Sequence, residues 1–297
     1  MLPLVLWKRN WKNAFERLIV PMGFSDFDYH DPIFSREPDS AERSSFWKEL
    51  TDTLAADYRF DRITLDGMAH ESGEAWEPGE MCPYLKLDNL DSGESLLAFL
   101  KTSLRGDIRR QIRRINEIGE MKLVSYTDAE MLRAETFGRF MHAHSQRWPN
   151  AYKAPQFHAN MIKAGLAAGV VDFTALMAGE TELAWHLGFS YRGRYYYYMP
   201  AGNPEFLKYS PVKIHLFKLI ERAILNGIEI YDHLRGEENY KDGWSDGHQT
   251  VHAQSIISGS ASTAAKRKLL KLRAILPPQD VQSKGTVQVR NKNDQGR

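Results

Sequence analysis

A dense group of ionisable residues follows a short predicted strand in the last quarter of the chain. Within ten residues the sequence places Asp232, His233, Arg235, Glu237, Glu238, Tyr240 and Lys241. A buried charge is costly unless it is paired, and ligands usually bind just beyond the carboxyl ends of strands in α/β sheets. The segment therefore predicts a ligand site. A salt-bridged surface loop is the alternative, because structural ion pairs also cluster.

Several residues of this segment can accept or donate protons, as a group transfer to an amine requires. The amine must lose a proton to a general base, a developing oxyanion needs a hydrogen-bond donor, and the leaving group benefits from an acid. Asp232, Glu237 and Glu238 are candidate bases, although such carboxylates also form simple ion pairs. Tyr240 is the candidate acid. We favour Glu237 as the base because it lies nearer the strand end, and we expect Asp232 to orient Arg235 or a loop amide.

Two neighbouring predicted strands carry further candidates. His186 is another candidate base, because strand alternation places it with Ala184 and Gly188 on one face, where small neighbours leave room for a substrate. A half-exposed strand histidine is the alternative. In the following strand, Tyr196 or Tyr198 could line the acceptor pocket, although most tyrosines in such a strand are packing residues.

Arginines repeat along a predicted helix in the middle of the chain. Arg105, Arg109 and Arg113 are spaced by four residues, which places them on one side of the helix. Like charges at this spacing repel each other, so phosphates, acidic side chains or tRNA are expected to compensate them. A solvated helix paired with acidic surface residues is the alternative.

An apolar helix pattern begins at Pro211 and ends at Leu225. Ser210 could cap this helix, and a proline is well suited to a first helical turn. Free amides at such an end can hold a phosphate, and Lys208 and Lys213 flank it. These residues are therefore candidates for binding the phosphates of coenzyme A.

The residues around these motifs resemble a known protein family. The order is Tyr-Ser-Pro at 209–211, a helix, Asn-Gly at 226–227, and Asp-His-Leu-Arg-Gly-Glu-Glu-Asn-Tyr-Lys-Asp-Gly-Trp at 232–244. It is similar to the CelD-type acetyltransferases of the GNAT superfamily, which are related to the Fem peptidyl transferases. Their pattern is Tyr-Ser-Pro-Gly, a helix, and Asp-Phe-Leu-Arg-Gly-Asp/Glu-Glu-x-Tyr-Lys-x-x-Trp. The resemblance covers roughly residues 2–257, with Val212 in place of the usual Gly and His233 in place of an aromatic residue.

The resemblance implies an α/β fold with a GNAT-like mixed sheet flanked by helices, preceded by a smaller truncated GNAT-like module. It implies an N-acyltransferase that uses acetyl-CoA or another acyl-CoA. The acceptor would be a small-molecule amine, such as an amino sugar or a cell-envelope or polysaccharide precursor. Arg235, Lys241 and Trp244 are then candidate substrate-binding residues. The family form Arg-x-x-x-Arg-Arg favours a binding role for the arginine helix, whereas the standard GNAT pyrophosphate loop, Arg/Gln-x-x-Gly-x-Gly/Ala, is absent.

Two other functions remain as alternatives. A Fem-type transferase would take its group from aminoacyl-tRNA, and the arginine helix would then bind RNA phosphates with a steep salt dependence. A non-catalytic GNAT-like module could instead serve a polysaccharide synthase complex. The presence of Asp232, Glu237, Tyr240 and Lys241 argues against the second alternative, because a site without catalytic activity could lose them without penalty.

The composition of the 297 residues excludes several classes of protein. A net charge of +1 carries no nucleic-acid signature, so no DNA partner is expected. The single cysteine, Cys82, excludes an intramolecular disulfide and a cysteine zinc cluster, and no metal is expected. This usage fits the cytoplasm. No apolar run reaches the ~20 residues of a membrane helix, so no transmembrane segment is expected, while peripheral membrane association and the oligomeric state stay open.

The predicted elements divide the chain into four parts. These are a truncated N-terminal α/β module at 1–91, an arginine-rich connecting helix at 92–120, a GNAT-like acyltransferase domain at 121–258, and a polar tail at 259–297 that is disordered at its end. From residue 122 the pattern reads strand, helix, helix, three strands, helix and two strands, which is the GNAT order. We expect one long helix over 92–118, with a break near Gly106, and a helix capped by Thr127 and Asp128 that runs to Trp148.

Overall fold

A computed structural model describes residues 1–24, 26–71, 75–149, 156–236 and 238–275. Residues 273–275 are described by their backbone only. The strands are Leu4–Lys8 (β1), Arg17–Pro21 (β2), Arg62–Met68 (β3), Glu77–Lys86 (β4), Met121–Tyr126 (β5), Val171–Ala178 (β6), Thr181–Tyr191 (β7), Arg194–Gly202 (β8), Ile230–Asp232 (β9) and Gly247–Ile257 (β10). The helices are Ser40–Asp57 (α1), Gly93–Phe99 (α2), Thr102–Asn116 (α3), Ala134–Arg147 (α4), Phe157–Ala167 (α5), Pro211–Leu225 (α6) and Ala261–Ile275 (α7). Short 3-10 turns lie at Trp11–Asn13, Pro204–Tyr209 and Lys241–Gly243.

The strands of the described residues form one mixed sheet in the order β1-β2-β3-β10-β4-β9-β8-β7-β6-β5. Two pairs, β2 with β3 and β8 with β9, are parallel, and the other pairs are antiparallel. The predicted order of elements from residue 122 is confirmed. The mixed sheet flanked by helices confirms the predicted fold class.

The N-terminal and C-terminal parts of the chain meet inside this sheet. β4 pairs with β9 through Tyr84 and Asp232, Leu85 and Tyr231, and Lys86 and Ile230. β10 then returns to lie between β3 and β4. By sequence β10 belongs to the predicted unit at 121–258, whereas by pairing it belongs to the N-terminal half. The domain boundaries therefore stay a prediction.

Helices cover the C-terminal half of the sheet and bury two apolar clusters. One cluster joins α2, α3 and α6 to the sheet, and the other joins α4 and α5 to it. In β6, Phe173 and Ala175 belong to the second cluster while Leu176 and Ala178 belong to the first, as expected of a strand that is covered on both faces. Each fully buried large apolar side chain contributes about 1.5–3 kcal/mol. A third cluster lies between α1 and the N-terminal strands.

Two helices differ from their predicted bounds. The chain over 92–118 is interrupted at Leu100 and Lys101, because Leu100 is buried and extended (ψ 149°) and ends α2. Gly106 lies inside α3 and causes no break. The helix expected from Asp128 begins only at Ala134, since Asp128 Oδ1 accepts hydrogen bonds from two amides of a separate turn at 2.8 and 2.9 Å.

The predicted polar tail contains a helix. Residues 261–275 form α7, and this helix is held by a buried carboxylate. Asp61 accepts a hydrogen bond from Thr263 at 2.8 Å and an ion pair from Lys266 at 2.7 Å. The predicted disordered end, 283–297, lies outside the described residues. Within the described chain, no helix is both long enough and apolar enough to span a membrane.

Candidate active site

The parallel pair β8 and β9 separates after three residues. Arg194, Tyr195 and Tyr196 pair with β9, whereas β8 continues to Gly202 without it. The predicted strand over 228–234 is shorter than expected, since it begins at Ile230 and ends at Asp232, two residues before Leu234 adopts a left-handed backbone conformation with φ 61°. A gap therefore opens between the two strands, at the carboxyl end of β9.

A cavity of about 610 Å³ occupies this gap. Its wall comes from β8, the segment after β9, the start of α6, the end of α4, and a loop of the N-terminal half. The lining residues are Phe24, Asp26, Phe27, Asp28, His144, Arg147, Trp148, His158, Tyr197, Tyr198, Met199, Pro200, Val212, Lys213, Leu216, His233, Leu234, Arg235, Glu238, Tyr240, Lys241 and Trp244. Both parts of the chain thus contribute to one concave site.

Asp232 is not among the residues that line the cavity, but it holds residues next to the cavity in place. Its carboxylate accepts hydrogen bonds from Tyr29 Oη at 2.9 Å and from the Leu234 amide at 2.8 Å, and it pairs with Arg194 at 2.7 Å. Burial raises the pKa of Asp232, opposed by these same partners. The expectation that Asp232 orients a loop amide matches its contact with Leu234. Both of its oxygens are occupied by these partners, which argues against Asp232 as the base, and its catalytic role stays a prediction.

Lys241 holds the segment after β9 in shape. Its ammonium group is almost fully buried and donates to the carbonyls of Leu234 and Arg235 at 3.1 and 2.7 Å. It also pairs with Glu238 at 2.8 Å. These contacts use most of its hydrogen-bonding capacity, so Lys241 lines the cavity mainly as a buried positive charge.

Arg235 joins the C-terminal part to the N-terminal half. Its guanidinium group binds the carboxylate of Asp66 at 3.0 Å and the backbone carbonyl of Asp28 at 3.1 Å. Gly67 makes this approach possible, since a Cβ there would lie 2.7 Å from the Asp28 oxygen and 2.9 Å from Arg235 Nη2. The predicted contact between Arg235 and Asp232 is replaced by these partners.

Glu238 and Tyr240 both line the cavity, as does Trp244, which is buried. Burial, followed by the nearby Glu238, raises the pKa of Tyr240 to about 12. Its phenol is therefore protonated at neutral pH, as a proton donor must be. The favoured base, Glu237, lies outside the described residues.

His186 is a core residue rather than part of a cleft. Its ring is fully buried and stacks on Tyr197 with 4.4 Å between ring centroids. The space beside Gly188 is filled by the ring itself, since a Cβ there would lie 2.5 Å from His186 Cε1. Burial lowers the pKa of His186 well below its usual value. The prediction that small residues beside His186 leave room for a substrate is therefore wrong.

Of the remaining candidates on β8 and just after β9, some line the cavity and others pack beside it. Tyr198 lines the cavity, whereas Tyr196 packs edge-on against Tyr29 beside it, with the two ring centroids 6.2 Å apart. His233 lines the cavity, and its Nε2 lies 3.2 Å from the carbonyl of Trp244. Burial lowers the pKa of His233 to about 4, so the ring is neutral and donates from Nε2 to that carbonyl.

The arginine helix α3 lies outside the cavity wall. Arg105 donates to the Leu100 carbonyl at 3.2 Å, and Arg109 pairs with Glu94 at 3.0 Å. Arg109 and Arg113 are exposed. These three residues therefore do not meet the loop residues in one cleft.

At the start of α6, only Lys213 of the three predicted phosphate-binding residues lines the cavity, and it pairs with Asp107 at 2.7 Å. Ser210 does not cap the helix with its side chain, because it adopts a left-handed conformation with φ 50°. Lys208 is exposed and lies over the ring of Tyr209. Val212 lines the cavity, so the usual glycine of this position would leave more room.

The residue that the sequence reasoning missed is Asp28. It lies more than 200 positions from the predicted segment, yet it lines the same cavity. Burial raises the pKa of Asp28 to about 6, against the opposing charges of Arg235 and Lys241. A signal was available, because residues 26–31 read Asp-Phe-Asp-Tyr-His-Asp and are as dense in ionisable groups as the predicted segment.

Comparisons with known proteins agree on the fold. Residues 102–242 match the model of a family described as an acetyltransferase (GNAT) domain. No curated protein matches the chain significantly. The crystal structure of FemX is similar at 12% identity and a TM-score of 0.61, over 86% of this chain and 83% of that one.

Two further solved structures are similar. The C-terminal domain of a putative lysylphosphatidylglycerol synthetase from Agrobacterium fabrum has 8% identity and a TM-score of 0.58, over 91% of this chain and 83% of that one. L-PGS from Bacillus licheniformis has 9% identity and a TM-score of 0.51, over 86% and 82%. The narrower resemblance to CelD-type enzymes stays a prediction. The chain therefore has a GNAT-like fold, in which residues 102–242 match an acetyltransferase (GNAT) domain.

Proposed function

We propose that this protein is an acyltransferase that moves an acyl group from acyl-CoA to the amine of a small molecule. The observation that carries this proposal is the cavity between β8 and β9, where unpaired strand backbone meets carboxylates, cations and a protonated tyrosine. The match of residues 102–242 to an acetyltransferase (GNAT) domain supports the same reaction class.

The edge of β8 beyond Tyr196 offers the backbone groups that an extended ligand needs. β9 does not pair with this part of β8, so its amides and carbonyls are available to a chain that lies beside it as an added strand would. The pantetheine arm of an acyl-CoA has amide groups that suit this role. Met199 and Leu216 add apolar wall for the acyl group.

Tyr240 supplies the acid for the leaving group. Its phenol is half-exposed in the cavity, and its raised pKa keeps it protonated at neutral pH. Lys213 places a positive charge at the start of α6, where a phosphate of the donor would lie. Pro211 has no amide hydrogen, and the amides of Lys213 and Ile214 are directed to the Ser210 carbonyl, so this helix end offers few backbone donors to a pyrophosphate.

The acceptor in this proposal is a cationic amine, such as an amino sugar or a cell-envelope or polysaccharide precursor. Asp26, Asp28 and Glu238 give the cavity wall negative charge, and Phe27 and Tyr198 provide aromatic faces on which a cation can rest. The amine class rests on this lining, and the named precursors rest on the family resemblance.

Aminoacyl-tRNA is a second candidate donor, favoured by α3. Arg109 and Arg113 are exposed outside the cavity wall, on a surface that a long polyanion can use and that a small donor does not need. Such a donor would carry an aminoacyl ester in place of a thioester. Binding would then weaken steeply as salt is added.

A direct assay separates the candidates. The protein is incubated with acetyl-CoA, longer acyl-CoAs or aminoacyl-tRNA, each with glucosamine, lysine and ethanolamine as acceptors, and products are identified by mass spectrometry. Acyl-CoA-dependent acylation of an amine with stoichiometric release of free thiol is the expected result. Transfer from aminoacyl-tRNA alone would replace the proposed donor. Binding of neither donor class would favour a non-catalytic module.

A further inference from the structure

The loop that carries Asp28 is fixed in place at three points. Tyr29 donates its hydroxyl to Asp232 at 2.9 Å, and the amide of His30 donates to a carbonyl of β3 at 2.8 Å. The carbonyl of Asp28 itself accepts a hydrogen bond from Arg235 at 3.1 Å. The backbone of Asp28 is thus held from both halves of the molecule, and Asp28 is one of the residues that line the cavity.

The carboxylates around the cavity differ in how far their oxygens are engaged. Asp232 is bound by three groups, Glu238 is paired with Lys241, and Asp66 is paired with Arg235.

No hydrogen bond or ion pair engages the carboxyl group of Asp28 within the part of the chain that the structure describes, and the largest influences on it are burial and the charges of nearby residues. Compared with Asp232, Glu238 and Asp66, Asp28 therefore has carboxyl oxygens that are free to accept a proton from a ligand.

Charges of both signs act on Asp28, and the two cations act more strongly than the two carboxylates. Arg235 and Lys241 stabilise its ionised form, whereas Asp232 and Glu80 oppose it. The other ionisable residues of the wall are Asp26, His144, Arg147, His158, Lys213 and Glu238. Burial is the largest influence and raises the pKa of Asp28 to about 6, which lies near the working pH of a general base.

We propose that Asp28 is the general base that deprotonates the acceptor amine, and that the acceptor binds as a primary ammonium ion between Asp28 and the aromatic wall. This assignment rests on the proposed acyl transfer in the same cavity. It places the base on the N-terminal loop rather than on the segment after β9. The donor and the acceptor then enter from different halves of the sheet and meet at the gap.

The reaction balances with the groups in the cavity. The ammonium ion gives one proton to the Asp28 carboxylate, and the neutral amine nitrogen forms a bond to the acyl carbon. The carbon–sulfur bond of the thioester then breaks, the nitrogen loses its second proton, and the sulfur leaves as a thiol after accepting a proton from Tyr240. Tyr240 recovers the proton lost by the nitrogen, and Asp28 returns its own proton to solvent.

The test compares Asp28→Asn and Asp28→Glu with the wild type, using acetyl-CoA and whichever of glucosamine, lysine or ethanolamine the wild type acylates. Asp28→Asn should lower kcat/KM at pH 7 by about 100-fold or more, because it removes a general base while keeping the side-chain size. Its remaining rate should rise about tenfold per pH unit as the amine loses its proton to solvent. Asp28→Glu should recover part of the rate, and calorimetry should show unchanged acetyl-CoA affinity in both variants.

Two controls sharpen this comparison. Glu80→Gln removes a nearby exposed carboxylate that lies outside the cavity wall, so it should keep the rate and move the acidic limb of the pH profile slightly lower. Carbon-13 NMR of aspartate carboxyl groups in the free protein should show one resonance that titrates near pH 6 and is lost in Asp28→Asn.

The outcomes distinguish the two proposals. If the wild type acylates an amine and Asp28→Asn does so at a similar rate with the same pH profile, Asp28 is not the base, and the acyltransferase assignment stands. If the wild type transfers no acyl group from any donor to any amine, the proposed function fails and the base assignment fails with it. Loss of acetyl-CoA binding in Asp28→Asn would also reject the base, since it would indicate a structural role.

Discussion

Replacing Asp28 by asparagine is expected to make the protein more stable at neutral pH. The carboxyl group is held in a partly dehydrated wall without a hydrogen-bonding partner among the described residues, so its ionised form is disfavoured in the folded state. Asparagine has nearly the same size and carries no charge. The variant would therefore remove the unfavourable free energy of ionising Asp28 in the folded state.

The size of the effect follows from the pKa of Asp28, which rises from 3.8 to about 6 on folding. Because the folded pKa is the higher one, the folded state binds the proton more tightly, and stability falls as pH rises from 3.8 through about 6. At 1.36 kcal/mol per pKa unit, the full cost above this window is about 3 kcal/mol. For a protein of this length that corresponds to about 5 °C in Tm.

The measurement is thermal unfolding of the wild type and Asp28→Asn across pH 4 to 8. The difference in Tm should be small at pH 4 and grow to its full value by about pH 7. Glu80→Gln is the matched control, because its exposed carboxylate should change stability by less than about 1 kcal/mol. A variant that is no more stable than the wild type at pH 7.5 would refute the reasoning, since it would mean that the Asp28 carboxylate is well solvated or paired.

Three further predictions concern other parts of the molecule. Lys241→Met should lower the free energy of unfolding in urea by about 3 kcal/mol, because it leaves buried carbonyls and a carboxylate unpaired. Lys122→Met, at an exposed ion pair, should leave the free energy of unfolding nearly unchanged. Tyr240→Phe should lower kcat with acetyl-CoA by about 100-fold, and less with a donor whose thiol is more acidic. Arg109→Ala with Arg113→Ala should weaken binding of aminoacyl-tRNA, the second candidate donor, in calorimetry without unfolding the protein, and it should leave acetyl-CoA affinity unchanged because both arginines lie outside the cavity wall; unchanged affinity for both donors would leave these arginines with no role beyond solvation.

Local patterns predicted the order of elements well. The helix at 211–225 has its predicted bounds because its apolar period and its initial proline act within the segment itself. The break at Leu100 and the place of β10 could not be predicted in this way. Leu100 ends a helix because tertiary packing buries it, and β10 pairs with strands more than 150 residues earlier, which no local period encodes.

For the site, the structure gathers several residues of the predicted segment around one cavity, and their roles in catalysis stay predictions. Arg235, Glu238, Tyr240 and Lys241 do line one cavity. A local reading counts ionisable groups but cannot tell which of them neutralise one another in the fold. Asp232 is an example, because its partners Tyr29 and Arg194 come from other elements of the chain.

The contacts across the middle of the sheet explain why the site needs both halves of the molecule. Asp232 and Arg235 come from the segment after β9, and they find Tyr29, Asp66 and the Asp28 carbonyl in the N-terminal half. Removing that half would leave a buried carboxylate without one of its hydrogen-bond donors and a guanidinium group without its carboxylate partner, and an unpaired buried charge is strongly destabilising. The same contacts place a carboxylate of the N-terminal loop beside the gap between β8 and β9. The pairing that joins the two halves therefore also assembles the groups that the proposed reaction uses.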